Sequence, residues 1–101
     1  MFEYNGKNYN IKFNIKRIEM IESTLKKSVV SVMQSGALSV HELKVMFAYG
    51  AIKEGANAFE PPRKALDMAD DMLSQPGSYA MMSDMVAEAI ERDCAFFFPA
   101  A

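Results

Sequence analysis

The sequence predicts a mainly helical α+β domain: an N-terminal β-hairpin followed by about four helices in one compact unit. Three observations carry this. Asn5-Gly6 stands between short alternating runs, the strongest local hairpin signal. Beyond Phe13 the apolar period changes from two residues to nearly four, the change from strand to helix. Helix starts and stops then recur at Ser39, at Pro61-Pro62, at Gly36, at Gly55 and in "SQPG". With 101 residues, 50% of them apolar, the chain has material for one domain with one core.

The hairpin comes first. A type I′ turn needs positive φ at both central residues, which Asn and Gly tolerate. A two-residue loop at Asn5-Gly6 pairs Tyr4 with Lys7, Glu3 with Asn8 and Phe2 with Tyr9. Phe2, Tyr4, Tyr9, Ile11 and Phe13 then share one face, and Glu3, Asn8, Asn10 and Lys12 share the other. The second arm runs past the first. Ile11 to Phe13 are expected to lack a partner within this hairpin, leaving an edge for helices to cover or for another chain to pair with.

Residues 1–14 form this hairpin unit, 15–55 a first helical pair, 56–61 a linker and 62–98 a second helical pair. The first helix is predicted over 14–34. Asn14 is its N-cap, and Ile15, Ile18, Ile21 (or Glu22), Leu25, Val29 and Val32 follow helical spacing. Glu22 and Lys26 form a favourable i,i+4 pair, and Gly36 takes the left-handed position after the helix. The second helix is predicted over 39–54. Ser39 and Glu42 form a capping box, with Leu38 and Leu43 placed as a hydrophobic staple. Gly50 inside it costs about 1 kcal/mol relative to Ala, which is consistent either with close packing or with a tolerated glycine. The third helix, 62–74, begins at Pro61 or Pro62 and carries Ala65, Leu66, Ala69 and Leu73 as its apolar stripe. The fourth, 79–95, buries Met82, Met85, Val86, Ala89, Ile90 and Cys94 and leaves Asp84, Glu88 and Glu91 in solvent. It frays into "AFFFPAA".

Composition narrows the function. A net charge of −2 and the lack of any Lys/Arg run argue against nucleic-acid binding. No apolar stretch nears the ~18 residues of a membrane span, and no signal-peptide pattern opens the chain. The single cysteine, Cys94, forms no internal disulfide, which fits a reducing, cytoplasmic compartment. His41 is the one histidine and lacks convergent partners; Cys94 lacks a CxxC neighbour. Asp67, Asp70 and Asp71 crowd one helix, where solvated surface is the simpler reading than a divalent-ion site. There is no phosphate loop, nucleophile elbow or zinc spacing. The expectation is a non-enzyme without cofactor or metal.

Apolar binding is the remaining theme. Met68, Met72, Met81, Met82 and Met85 cluster in the last two helices, either as core filler or as an adaptable surface for helical partners. Phe96, Phe97 and Phe98 cannot all face one core, so at least one is exposed or packed by another subunit. Ile11, Phe13, Met81, Met82, Met85, Phe96, Phe97 and Phe98 are therefore the candidate partner-binding residues, with self-association expected through the hairpin edge, the phenylalanines or both.

The order of elements resembles a known family. A "Y-N-G-K-x-Y-x-I-K-F" hairpin leads into "IKRIEMIESTL", then into "LSVHELKVMFAYGAIKEG" and a further helical half. This looks like the small tail assembly chaperones of long-tailed bacteriophages and prophages, best over residues 2–55 and weaker beyond. The resemblance implies binding and solubilising of the tape measure protein, help in recruiting the tail tube protein, and absence from the finished particle. It carries over no catalytic residue. It also implies a longer frameshifted product, for which the uridine-rich codons of Phe96-Phe97-Phe98 would be the slippery run. Two other classes fit the same composition: a structural tail-completion or head-tail connector subunit, and a small regulatory binding protein.

Overall fold

The computed structural model describes residues 1–99. Its elements are β1 (Phe2–Tyr4), β2 (Lys7–Ile11), α1 (Ile15–Leu25), α2 (Val29–Gln34), α3 (Val40–Gly50), β3 (Ala51–Lys53), α4 (Pro62–Leu73) and α5 (Ser78–Asp93), followed by a 3₁₀ turn at Ala95–Phe97. The architecture is α+β and mainly α, as the sequence predicts. A three-stranded antiparallel sheet of order β1-β2-β3 lies against the helices.

The hairpin has the expected register: Phe2 opposite Tyr9, Glu3 opposite Asn8, Tyr4 opposite Lys7. Asn5 and Gly6 both take positive φ, at 49° and 77°. Phe2, Tyr9, Ile11 and Phe13 are buried in one core with Ile18, Leu25 and Leu43. The Phe2 ring stacks on Tyr9 at 5.6 Å and meets Phe47 of α3 at 5.1 Å, which joins the sheet to the central helix.

The expected open edge is closed. β3 pairs with β2 on the side away from β1, with Ile11 opposite Ala51 and Asn10 opposite Ile52. The Lys12 N–H donates to the Gly50 carbonyl at 2.9 Å, so the overhanging arm has a partner within the chain. The second helix accordingly stops at Gly50, not near residue 54. Ala51 is extended, and three residues change from helix to strand because the free groups of β2 are there to receive them. The linker returns along the outside of β3, where the Glu60 N–H donates to the Ala51 carbonyl. Gly50 has a packing reason: a Cβ there would lie 2.8 Å from Ile11 Cγ2 and 2.9 Å from Phe13 Cε1.

The predicted first helix is two helices. Lys26 adopts φ 57° and its N–H caps α1 by donating to the Glu22 carbonyl. Ser28 then starts α2, its hydroxyl accepting from Ser31 N–H. The Glu22 carboxylate accepts from the Val29 N–H at 2.9 Å, another free donor of the new helix, and forms no ion pair with Lys26. The left-handed residue restarts the helix along a new axis. Val29 and Val32 stay buried while Val30 is exposed and Met33 half-buried.

Elsewhere local signals and structure agree. Asn14 caps α1 by accepting from Arg17 N–H at 2.8 Å. The capping box is complete: Ser39 Oγ accepts from Glu42 N–H at 3.0 Å, and Glu42 Oε1 accepts from Ser39 N–H at 2.7 Å. Lys27 reaches the other Glu42 oxygen at 3.0 Å, tying the α1–α2 joint to the start of α3. Pro61 and Pro62 open α4, and Gly36 and Gly77 take positive φ at helix boundaries.

One polar clamp holds the end of α5 to the sheet. Arg92 Nη2 donates to the Ile11 carbonyl at 2.6 Å, and the Asp93 carboxylate accepts from Phe13 N–H at 3.0 Å. The Arg92 guanidinium and the Phe13 N–H hold Asp93 below its usual carboxyl range against the opposing effect of burial. Glu42 is lowered too, first by the Ser39 N–H and then by Lys27. For a carboxyl depressed in the folded state, the stabilisation is complete above its unfolded pKa of about 4 and is lost as pH falls through the lower folded value. Wild-type melting temperature is therefore expected to fall as pH is lowered from about 5 to about 2.5, and Asp93→Asn to show a shallower fall. Parallel curves for the two proteins in calorimetry would remove Asp93 from this role.

Candidate protein-binding surface

The clearest concave apolar surface lies between α2 and α5. α2 contributes Val30, Met33 and Gln34, and α5 contributes Ala87, Ile90 and Glu91. Phe97 and Phe98 close one end of a groove of about 300 Å³. A second hollow of about 170 Å³ continues from it, sharing Met33 and Ala87 and reaching Ala37, Leu38 and Ser83. The trough follows from local structure. The break at Lys26 gives α2 its own axis, and Ser83, Ala87 and Ile90 lie at i, i+4 and i+7 on one side of α5. Ala87 is exposed and small, so the groove is open at its centre.

The candidate residues separate into three groups. Ile11, Phe13 and Met82 are buried, at 5%, 6% and 0% exposure, and belong to the core of the chain itself. As partner-binding candidates they are corrected to core: Ile11 and Phe13 pack against Gly50 of α3, and Met82 lies on the buried face of α5 that its spacing predicts. Met85 is half-buried against that core. Met81 is 45% exposed but lies in another hollow, about 440 Å³, beside Tyr4, Met72 and Pro76. Phe97 and Phe98 are on the groove, and the Phe96 ring packs on Phe97 at 4.7 Å.

The three phenylalanines divide as their adjacency requires. Phe97 is half-buried against the core, whereas Phe96 and Phe98 are 51% and 48% exposed. Two half-open aromatic rings on one short turn leave apolar area that a second copy could cover. Wild-type protein is expected to self-associate at high concentration, and Phe96→Ser with Phe98→Ser to shift it toward smaller species at unchanged helicity. Light scattering with circular dichroism checks this; a wild type that stays monomeric rules it out.

Val30, Met33, Ala87 and Ile90 were not among the sequence candidates. A signal for the first two exists: residues 28–40 carry no charged side chain, which is unusual for an exposed helical segment. Three of the titratable candidates, Cys94, Asp70 and Asp71, have other roles. Cys94 is fully buried and burial pushes its thiol pKa up, away from the reactive thiolate. Asp70 pairs with Lys44, and Asp71 accepts from the Tyr4 hydroxyl at 2.9 Å. His41 is exposed in the first turn of α3. Among the described residues no helix is long and apolar enough to cross a membrane.

Comparison with known proteins adds no relative: no family model, curated protein or solved structure matches this chain.

Proposed function

We propose that this chain is a non-enzymatic tail assembly chaperone of a long-tailed phage or prophage. In this reading it works in the bacterial cytoplasm, binding the tape measure protein and keeping it soluble while the tail is built, with the tail tube protein as a second partner. The observation that carries the reading is the open apolar trough between α2 and α5, ended by Phe97 and Phe98. A groove of this kind suits an amphipathic helix laid along it, and a tape measure protein is a long helical client. The order of elements over residues 2–55 supports the same family. Holding such a client draws on apolar burial, at about 25 cal/mol per Å² before ordering costs, and asks for no catalytic group.

Coexpression tests this directly. The soluble yield of a phage tape measure protein coexpressed with this chain is expected to rise severalfold, and the two proteins to co-purify. No rise in yield and no co-purification, together with the chain's presence in purified particles, would instead favour a tail-completion or head-tail connector subunit.

A further inference from the structure

The rim of the α2–α5 trough is charged on one side only. The α2 wall comes from the uncharged stretch 28–40. On α5, each residue of the groove stripe is followed by a carboxylate: Ser83 by Asp84, Ala87 by Glu88, Ile90 by Glu91. Asp84, Glu88 and Glu91 stand at i, i+4 and i+7, so they share one flank of the helix. Glu91 lines the groove itself, which places that flank on the rim. All three are exposed, and among the described residues none is in an ion pair. The nearest cation along the helix, Arg92, bonds to Asp93 and the Ile11 carbonyl and acts on Glu88 only through its charge, without an ion-pair contact.

We propose that this trough docks an amphipathic helix whose apolar stripe is flanked on one side by lysine or arginine. The inference rests on the protein-binding reading above and specifies its site and the chemistry of its partner. Ser83 to Glu91 spans about 12 Å, so the trough accommodates about two turns of a partner helix. Apolar residues at i, i+3 or i+4, and i+7 of that helix meet Met33, Ala87 and Ile90. The small Ala87 side chain lets the two helix axes approach to the usual 8–10 Å. Basic residues on one flank then lie over Asp84, Glu88 and Glu91, which sets the orientation of the docked helix and disfavours acidic partners. An antiparallel two-fold contact of a second copy, groove to groove, is disfavoured by the same charges, because it brings the two acidic rims together.

The test uses the full chain and two synthetic helices with the same apolar stripe, one flanked by lysine and one by glutamate, followed by fluorescence anisotropy. The lysine-flanked helix is expected to bind about tenfold more tightly or better. Ala87→Gln adds bulk without charge at an exposed position and is expected to weaken both helices by about tenfold or more at unchanged melting temperature. Replacing Asp84, Glu88 and Glu91 together by lysine is expected to invert the preference. Equal affinity for the two helices, or binding indifferent to Ala87→Gln, overturns the proposal. A chain that still raises the solubility of the tape measure protein after such a result keeps the chaperone reading and loses only this site. A chain that binds the lysine-flanked helix but leaves that client insoluble keeps the site and loses the chaperone reading.

Discussion

Phe47→Ala is expected to destabilise the domain by about 3–5 kcal/mol, the largest effect of any single truncation considered. Phe47 is fully buried in α3, the helix against which α1, α4, α5 and β2 all pack. Its ring is one of the contacts through which the hairpin reaches that helix, by way of Phe2 at 5.1 Å, beside the packing of Ile11 and Phe13 on Gly50. Truncation removes the apolar burial of the ring and leaves a cavity between sheet and helices that neither layer can fill without moving the other. Domains of this size have only about 5–15 kcal/mol of total stability, so the variant should be marginal at 37 °C, with a melting temperature lower by the order of 20 °C. Val40→Ala in the same helix is the control. Val40 is 59% exposed, and surface changes of this kind stay within about 0.5 kcal/mol. Denaturant melts of both variants settle the comparison; a loss below about 1 kcal/mol for Phe47→Ala would contradict its central place.

Gly50→Ala is expected to cost about 1–3 kcal/mol, although alanine is the better helix former by up to about 1 kcal/mol. The two effects oppose one another, and the steric one wins at this position. The added methyl would meet Ile11 Cγ2 at 2.8 Å and the Phe13 ring at 2.9 Å, distances that require the sheet or the helix to shift. Neither shifts freely, because Lys12 N–H bonds to the Gly50 carbonyl and β3 begins at the next residue. The origin of the cost is testable by a double-mutant cycle. Phe13→Leu removes the ring atoms that the methyl would strike, so Gly50→Ala should cost less in that background than in the wild type. Additive losses would mean that the Phe13 ring is not the cause and would leave the cost to Ile11.

The local signals in this chain are those whose physics is closed within about four residues. Asn5-Gly6 determines the hairpin and its register, because positive φ at two adjacent positions selects the turn and the turn selects the pairing. Ser39 with Glu42, Asn14, Pro62 and Gly36 determine helix ends, because each satisfies or removes a free backbone group nearby. The buried stripe of α5 is legible in its apolar spacing, apart from Met85, which is only half-buried. What the tertiary structure alone decided concerns groups whose partners are distant in sequence. Ala51, Ile52 and Lys53 continue a helical pattern and become a strand only because β2, some forty residues earlier, offers unpaired backbone groups. That pairing closes the expected open edge, while the side chains of Ile11 and Phe13 are buried against Gly50 of α3. The break at Lys26 is intermediate: Ser28 is a visible cap, but the continuous spacing from Ile15 to Val32 masks it. Its consequence, a separate α2 turned to face α5, depends on which faces the core has already taken. The groove is therefore a property of packing. Val30, Met33 and Ala87 are ordinary residues in the sequence, and they form a surface only because two helices that meet across more than fifty residues leave a gap between them.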